Sequence, residues 1–208
     1  MSDPKSFDAL LARIERLESL DAIRQLPAKY ALSVDMRDLD ALVNLFVEDV
    51  KLKIGDVIEV GRPALKRWYD GVLRNNFAGS SHHIGGHVIE FEDADHALGI
   101  VYSKNEHETG PEWSIQQMLY YDRYVRVCGR WYFQRRVPMY WYLADINRPP
   151  LGEFKIRWPG QKPEHDNFHD LFPTWKAFWS NPEVGSDAVA PEAGPEGFIA
   201  SMRNRKRV

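Results

Sequence analysis

The sequence predicts an α+β fold: a curved antiparallel sheet forming a cone-shaped α+β barrel, with N-terminal helices enclosing a pocket at its mouth. Three observations predict it. Apolar residues recur at helical spacing through much of the first 73 residues. Long, aromatic-rich segments fill residues 82–138. The turns between those segments are short enough for antiparallel neighbours.

Leu10, Leu11, Ile14, Leu17, Leu20, Ile23 and Leu26 step by three and four with charges between them, as an amphipathic helix requires. Pro27 has no amide donor, so a kink or restart is expected near Leu26, and Asp21 is a candidate N-cap for the segment through Tyr30 and Ala31. After Asp35-Met-Arg-Asp38, the residues Leu39, Leu42, Val43, Leu45 and Phe46 give a second, short helix that ends at Glu48-Asp49. Val50 to Ile54 alternates, Gly55-Asp56 turns and Val57 to Val60 returns, a β-hairpin. Gly61-Arg-Pro63 breaks the chain before a third helix over Ala64 to Leu73. Strands are then expected at His82–Glu92, His96–Glu106, Ser114–Val127 and Trp131–Pro138. Beyond Tyr142 the patterning gives way to Pro-, Gly- and Trp-rich sequence. The organisation expected is a catalytic domain over 1–145 and an aromatic-rich extension over 146–208, with a linker at 185–197 and a flexible tail.

Composition removes several function classes. Lys and Arg total 27 against 30 Asp and Glu, a net charge of −3, which argues against a dedicated nucleic-acid binder. The four cations within residues 203–208 read as a solvated tail. A hydrophobic content of 44% is enough for a core, and no run of about 18 apolar residues marks a membrane span. The start lacks an apolar leader, and the single Cys128 cannot form an internal disulfide, so a cytoplasmic setting is expected. The 7 Trp, 9 Tyr and 10 Phe are numerous enough to line a pocket for flat organic ligands as well as fill a core.

Four pieces carry a family resemblance: Ala22-Ile-Arg-Gln-Leu-Pro-Ala-Lys-Tyr30 continuing to Asp35-Met-Arg-Asp38, Phe46-Val-Glu-Asp49-Val50, Ser81-His82-His83-Ile-Gly-Gly-His87-Val-Ile-Glu90, and Gly129-Arg-Trp131-Tyr-Phe133. In that order, and over about residues 8–142, the chain resembles the SnoaL-like branch of the nuclear transport factor 2-like superfamily. The resemblance implies a lyase working without cofactor. Members such as scytalone dehydratase, bile-acid 7α-dehydratase and hexachlorocyclohexane dehydrochlorinase use an Asp–His pair inside the cone, and the matching pair is Asp35 and His82. His82 is preferred to its neighbour His83 by gapless spacing to the strand. Tyr30 matches a tyrosine of the bile-acid enzyme, and Arg136 is the nearest match to an arginine in the last strand of the dehydrochlorinase. Asn105 stands where the bile-acid enzyme has a second aspartate. A longer, aromatic-rich sphingomonad member releases formaldehyde from a lignin-derived diarylpropane diol to leave a stilbene. The family motifs together with the aromatic extension resemble that member and imply that activity. The alternatives are a dehydratase of bulky hydroxylated substrates and a non-catalytic ligand binder.

Taken residue by residue, several roles stay open. Asp35 either caps the next helix or orients an imidazole. His82 and His83 start a strand, so one enters the cone while the other meets solvent. Tyr30 is either a core tyrosine or a hydroxyl for substrate oxygen. One of Arg135 and Arg136 points inward and needs an anionic partner, which is Asp35, another carboxylate or the substrate. Trp68, Tyr102, Asn105, Tyr140 and His83 are the candidate substrate-binding residues. His165-Asp-Asn-Phe-His169 has a spacing suited to one helix face, but two imidazoles crowded by Pro163 and Pro173 do not make a metal site. No nucleotide-binding motif is present, so no cofactor is expected. Phe154, Trp158, Phe168, Phe172, Trp175, Phe178 and Trp179 of the extension either pack, within the chain or on a neighbouring subunit, or form a lid. The partners expected are a small aromatic substrate and further copies of the chain, as a homodimer or homotrimer.

Overall fold

The computed structural model describes residues 4–54, 56–170, 172–180 and 197–199. The linker expected at 185–197 lies, apart from Gly197, outside the described residues, as does the basic tail at 203–208. Helix α1 (Pro4–Asp35) runs 32 residues with Pro27 in its interior, so neither the restart at Leu26 nor the Asp21 cap is found. Proline in a helix interior costs about 3 kcal/mol. Here Ile23, Leu26, Tyr30, Ala31 and Val34 are buried on both sides of Pro27, and that packing against the sheet holds the helix together. The earlier apolar stripe, Leu10, Leu11, Ile14 and Leu17, is exposed.

The end of α1 is set by a Schellman-type cap. Arg37 adopts φ 59°, its amide bonds the Val34 carbonyl at 3.1 Å, and the Asp38 amide bonds the Ser33 carbonyl at 2.9 Å. Asp38 then caps α2 (Leu39–Val43) by accepting from the Ala41 amide at 2.9 Å. The capping role thus falls to Asp38, and the Asp35 carboxylate is left for another partner. Strands β1 (Lys51–Ile54) and β2 (Val57–Val60) form the expected hairpin, and α3 (Arg62–Asn76) follows with Pro63 in its first turn.

The main sheet has the order β3 (Gly79–Phe91), β4 (His96–Thr109), β5 (Glu112–Val127) and β6 (Arg130–Asp145), every pair antiparallel. Between β5 and β6, Cys128 and Gly129 have φ of 49° and 77°, the positive pair that a type I′ hairpin turn demands. Bulges between Ile84 and His87 on β3 and at two places along β5–β6 increase the twist and curl the sheet. Strand β6 continues past the expected Pro138 to Asp145; as the edge strand it tolerates a proline. The concave face and the helices share a core built around Ile23, Val34, Phe46, Val101, Tyr124 and Phe133. On the convex face Leu98, Ile100, Leu119, Tyr121 and Met139 are covered by Phe168 and Ile199. His165 to His169 is not helical: the His165 ring lies 4.3 Å from Phe154 and His169 stacks on Trp175 at 3.5 Å. Helix α4 (Pro173–Ser180) buries none of its residues. No described helix is long and apolar enough to cross a membrane.

Gly99 on β4 lies against the buried Tyr124, so a Cβ there would sit 2.6 Å from Tyr124 Cε2 and 3.0 Å from His87 Nε2. The Tyr124 ring cannot yield freely, because its hydroxyl donates to Asp122 at 2.8 Å. Gly99→Ala is therefore expected to destabilise by about 1–3 kcal/mol, read as a lower urea midpoint at unchanged slope. A wild-type midpoint would mean that the ring relaxes without cost.

Candidate active site

Asp35 closes α1 at the start of β3. Its Oδ1 meets His82 Nδ1 at 2.7 Å, its Oδ2 accepts the His82 amide at 2.8 Å, and Ser80 Oγ donates to Oδ1 at 2.9 Å. Burial pushes this carboxyl upward, but the His82 ring, the His82 amide, the charge of the imidazole and the Ser80 hydroxyl outweigh it, so its pKa lies below the ordinary value. An ionised carboxylate can only accept, so the bond to His82 requires the hydrogen on Nδ1 and leaves Nε2 free of that bond. The His82 side chain is 6% exposed and lines a cavity. Arg37, held by the cap of α1, braces the pair by donating to Ser80 Oγ at 2.7 Å and to the Phe77 carbonyl at 3.2 Å.

Arg136, rather than Arg135, enters the concave face, and its anionic partner is Asp122, directly opposite on β5. The fork is bidentate, Nε to Oδ1 at 2.8 Å and Nη2 to Oδ2 at 2.7 Å, with both side chains almost wholly buried. Burial disfavours the guanidinium charge, yet Asp122 more than compensates and the pKa rises. The cation lies 4.3 Å from the centre of the Tyr30 ring, 4.0 Å from Tyr120 and 4.4 Å from Phe133. Its Nη1 has no hydrogen-bond partner among the described residues. Tyr30 shares a hydrogen bond of 3.0 Å with Tyr69, and burial raises both phenols well above their usual values, so they stay protonated.

The cavity has a volume of about 1190 Å³. Tyr30, His82, Asn105, Arg136, Trp68 and Tyr140 all line it, so the structure brings most of the singled-out residues together. Asn105 is tied into the wall by Ser103 and by a 3.3 Å bond to the Tyr120 hydroxyl. Two of the expected substrate-binding residues are placed elsewhere. His83 points the other way from its neighbour on β3 and bonds Ser81, and Tyr102 is exposed beside Phe168, because strand alternation sends both outward.

Sequence reasoning missed four residues. His107 lies on the inward face of β4, two residues from Asn105, with its ring 5.6 Å from His82. Burial lowers its pKa to about 4, and the neighbouring His82 adds to the depression, so it is neutral at pH 7. Alternation from Asn105 would have found it. Asp122 is legible only through the register that pairs it with Arg136, and Ser80 and Arg37 only through the cap geometry. Among the described residues no group of three or more His, Cys, Asp or Glu is placed to hold a metal ion.

The SnoaL-like domain family matches residues 15–137, and the chain belongs to it. Among solved structures, a candidate scytalone dehydratase from Novosphingobium aromaticivorans DSM 12444 is 25% identical, with a TM-score of 0.57 over 72% of this chain and 99% of that one. LinA is 24% identical, with a TM-score of 0.60 over 64% of this chain and 93% of that one. The hexachlorocyclohexane dehydrochlorinase LinA-type3 from Novosphingobium barchaimii LL02 is 21% identical at the same TM-score, over 64% and 94%. The two dehydrochlorinase matches establish the fold alone, and the candidate scytalone dehydratase is named for a lyase-type reaction. No curated protein matches the sequence.

The buried neutral imidazole has a consequence for stability. Folded His107 takes up its proton near pH 4, whereas an unfolded histidine does so near 6.5. Between those values the unfolded chain binds more protons, so stability is full above about pH 6.5 and falls as the pH drops toward 4. The expected loss is on the order of 3 kcal/mol, measured by urea unfolding at pH 7, 5.5 and 4.5, and His107→Gln should flatten part of it. A stability independent of pH over that range would contradict the assignment.

Proposed function

We propose that the protein is a cofactor-independent lyase for a bulky phenolic alcohol of the lignin-derived diarylpropane-diol type, releasing formaldehyde and water to leave a stilbene. The observation that carries this reading is the Asp35–His82 pair, 2.7 Å apart, on the wall of an aromatic-lined cavity that also holds a buried cation. Ionisation of the substrate's para-phenol is favoured beside Arg136 and the hydroxyl of Tyr30. The benzylic hydroxyl then departs as water, taking a proton from the His82 imidazolium, and a quinone methide remains. His82 Nε2 next removes the proton of the terminal CH₂OH. The adjoining C–C bond breaks, its electron pair becomes the new C=C bond, and formaldehyde leaves as the ring regains aromaticity. The phenolic proton, passed to solvent at the outset, is regained from solvent at the end. The phenol is thus its own electron sink.

The similarity to a candidate scytalone dehydratase favours a second reading, dehydration with the same dyad, which stops one step earlier. In both readings the catalytic unit is 1–145 with the extension serving it. Self-association as a homodimer or homotrimer belongs to the proposal too, supported by the apolar stripe on α1, where Leu17 is 66% exposed. So does a cytoplasmic setting, with Cys128 a free, exposed thiol.

Incubation with a synthetic diarylpropanediol should yield stilbene and formaldehyde in equal amounts, and Asp35→Asn should lower the rate by about 10²–10⁴-fold. An enol or ketone without formaldehyde would favour dehydration. Equal turnover by wild type and Asp35→Asn would remove the dyad from the chemistry.

A further inference from the structure

The family match ends at residue 137, yet the chain beyond β6 returns to the cavity. Ile156 bridges Leu143 on β6 in parallel and Glu164 in antiparallel, making a small hairpin that turns at Gly160, where φ is 70°. Its base is sewn to β6 by the Arg157 amide bonding the Leu143 carbonyl at 2.8 Å and the Leu143 amide bonding the Lys155 carbonyl at 2.9 Å. The Arg157 side chain adds a staple, donating to the carbonyls of Phe154, Pro149 and Leu151 at 3.0, 3.2 and 3.1 Å. Three bonds from one planar fork fix a loop that otherwise has little secondary structure of its own.

The staple places Trp158 and Gln161 in the cavity wall. The Trp158 ring lies 6.1 Å from Phe77 and 6.3 Å from Tyr140. Phe77 lies 4.4 Å from His107, which is 5.6 Å from His82. Rings therefore run unbroken from the dyad to the hairpin. Trp158 is the third ring along this line from His82, the end of the line that a ligand's second ring would meet.

We propose that the hairpin from Ile156 to Glu164 selects substrates carrying a second aromatic ring, with Trp158 as the wall on which that ring packs and Arg157 as the residue that positions the wall. The proposal rests on the aromatic-lyase reading of the same cavity. An indole offers apolar area and a π face to any flat ring, so the gain falls on ligands long enough to touch it.

The test is calorimetric titration of the full chain with 4,4′-dihydroxystilbene, a two-ring probe, and 4-ethylphenol, a one-ring probe. Trp158→Ala is expected to weaken the two-ring probe roughly tenfold while the one-ring probe changes by less than about twofold, and Trp158→Phe to restore most of the loss. Arg157→Ala, which frees the hairpin, should reproduce the split, with far-ultraviolet circular dichroism confirming that each variant is folded. Equal losses for both probes, or none for either, would overturn the proposal, as would a wild type that binds neither. Failure of the lyase reading would look different: the probes would split as stated while the diol is not turned over.

Discussion

One hydrogen bond, from His82 Nδ1 to Asp35, decides what the cavity can do, and the fold brings two separate pieces of chain, the end of α1 and the entry to β3, together to make it. Helix α1 must end where it does, which requires Arg37 in a left-handed conformation that costs a non-glycine residue about 1–2 kcal/mol. The same arginine offsets that strain by bonding Ser80 and Phe77 at the entry to β3. Burial alone would raise the carboxyl's pKa; the bonds from His82 and Ser80 and the imidazole's charge hold it below the ordinary value, and the carboxylate in turn fixes a hydrogen on His82 Nδ1.

A second buried charge, on Arg136, obeys a different economy. A guanidinium stripped of water is tolerated because Asp122 neutralises it through two bonds and three aromatic faces surround it. Asp122 is itself held by Tyr124, whose hydroxyl also touches His87 at 3.1 Å, so the cation is rigid before any ligand arrives. Protonated Tyr30 and Tyr69 stand beside it as donors rather than bases. The result is a division of labour: proton transfer at one wall, stabilisation of negative oxygen at the other.

Much of this was legible in the sequence. Period and turn chemistry located every helix and strand through β6, and the family pattern singled out Asp35, His82, Tyr30 and Arg136, which do line or adjoin one cavity. Local rules failed where tertiary packing overrode them, as at Pro27, whose lost hydrogen bond is outweighed by the buried residues on either side. They failed again for Tyr102, an aromatic that strand parity turns outward. Asp122 carried no local signal, because it acquires meaning only from cross-strand register, and Trp158 stood among the extension's aromatics with its place left open, because the path of an irregular loop decides it. Residues whose partners lie far away in sequence are the ones a single chain does not disclose.

The most direct measurement is the ¹⁵N NMR spectrum of the His82 ring at neutral pH, assigned by comparison with a His82→Gln variant. The account predicts a ring hydrogen on Nδ1, held toward Asp35, and an Nε2 signal that moves when a phenolic ligand is added. A ring carrying its hydrogen on Nε2 would leave two acceptors facing one another where the bond to Asp35 should be, and would contradict the account.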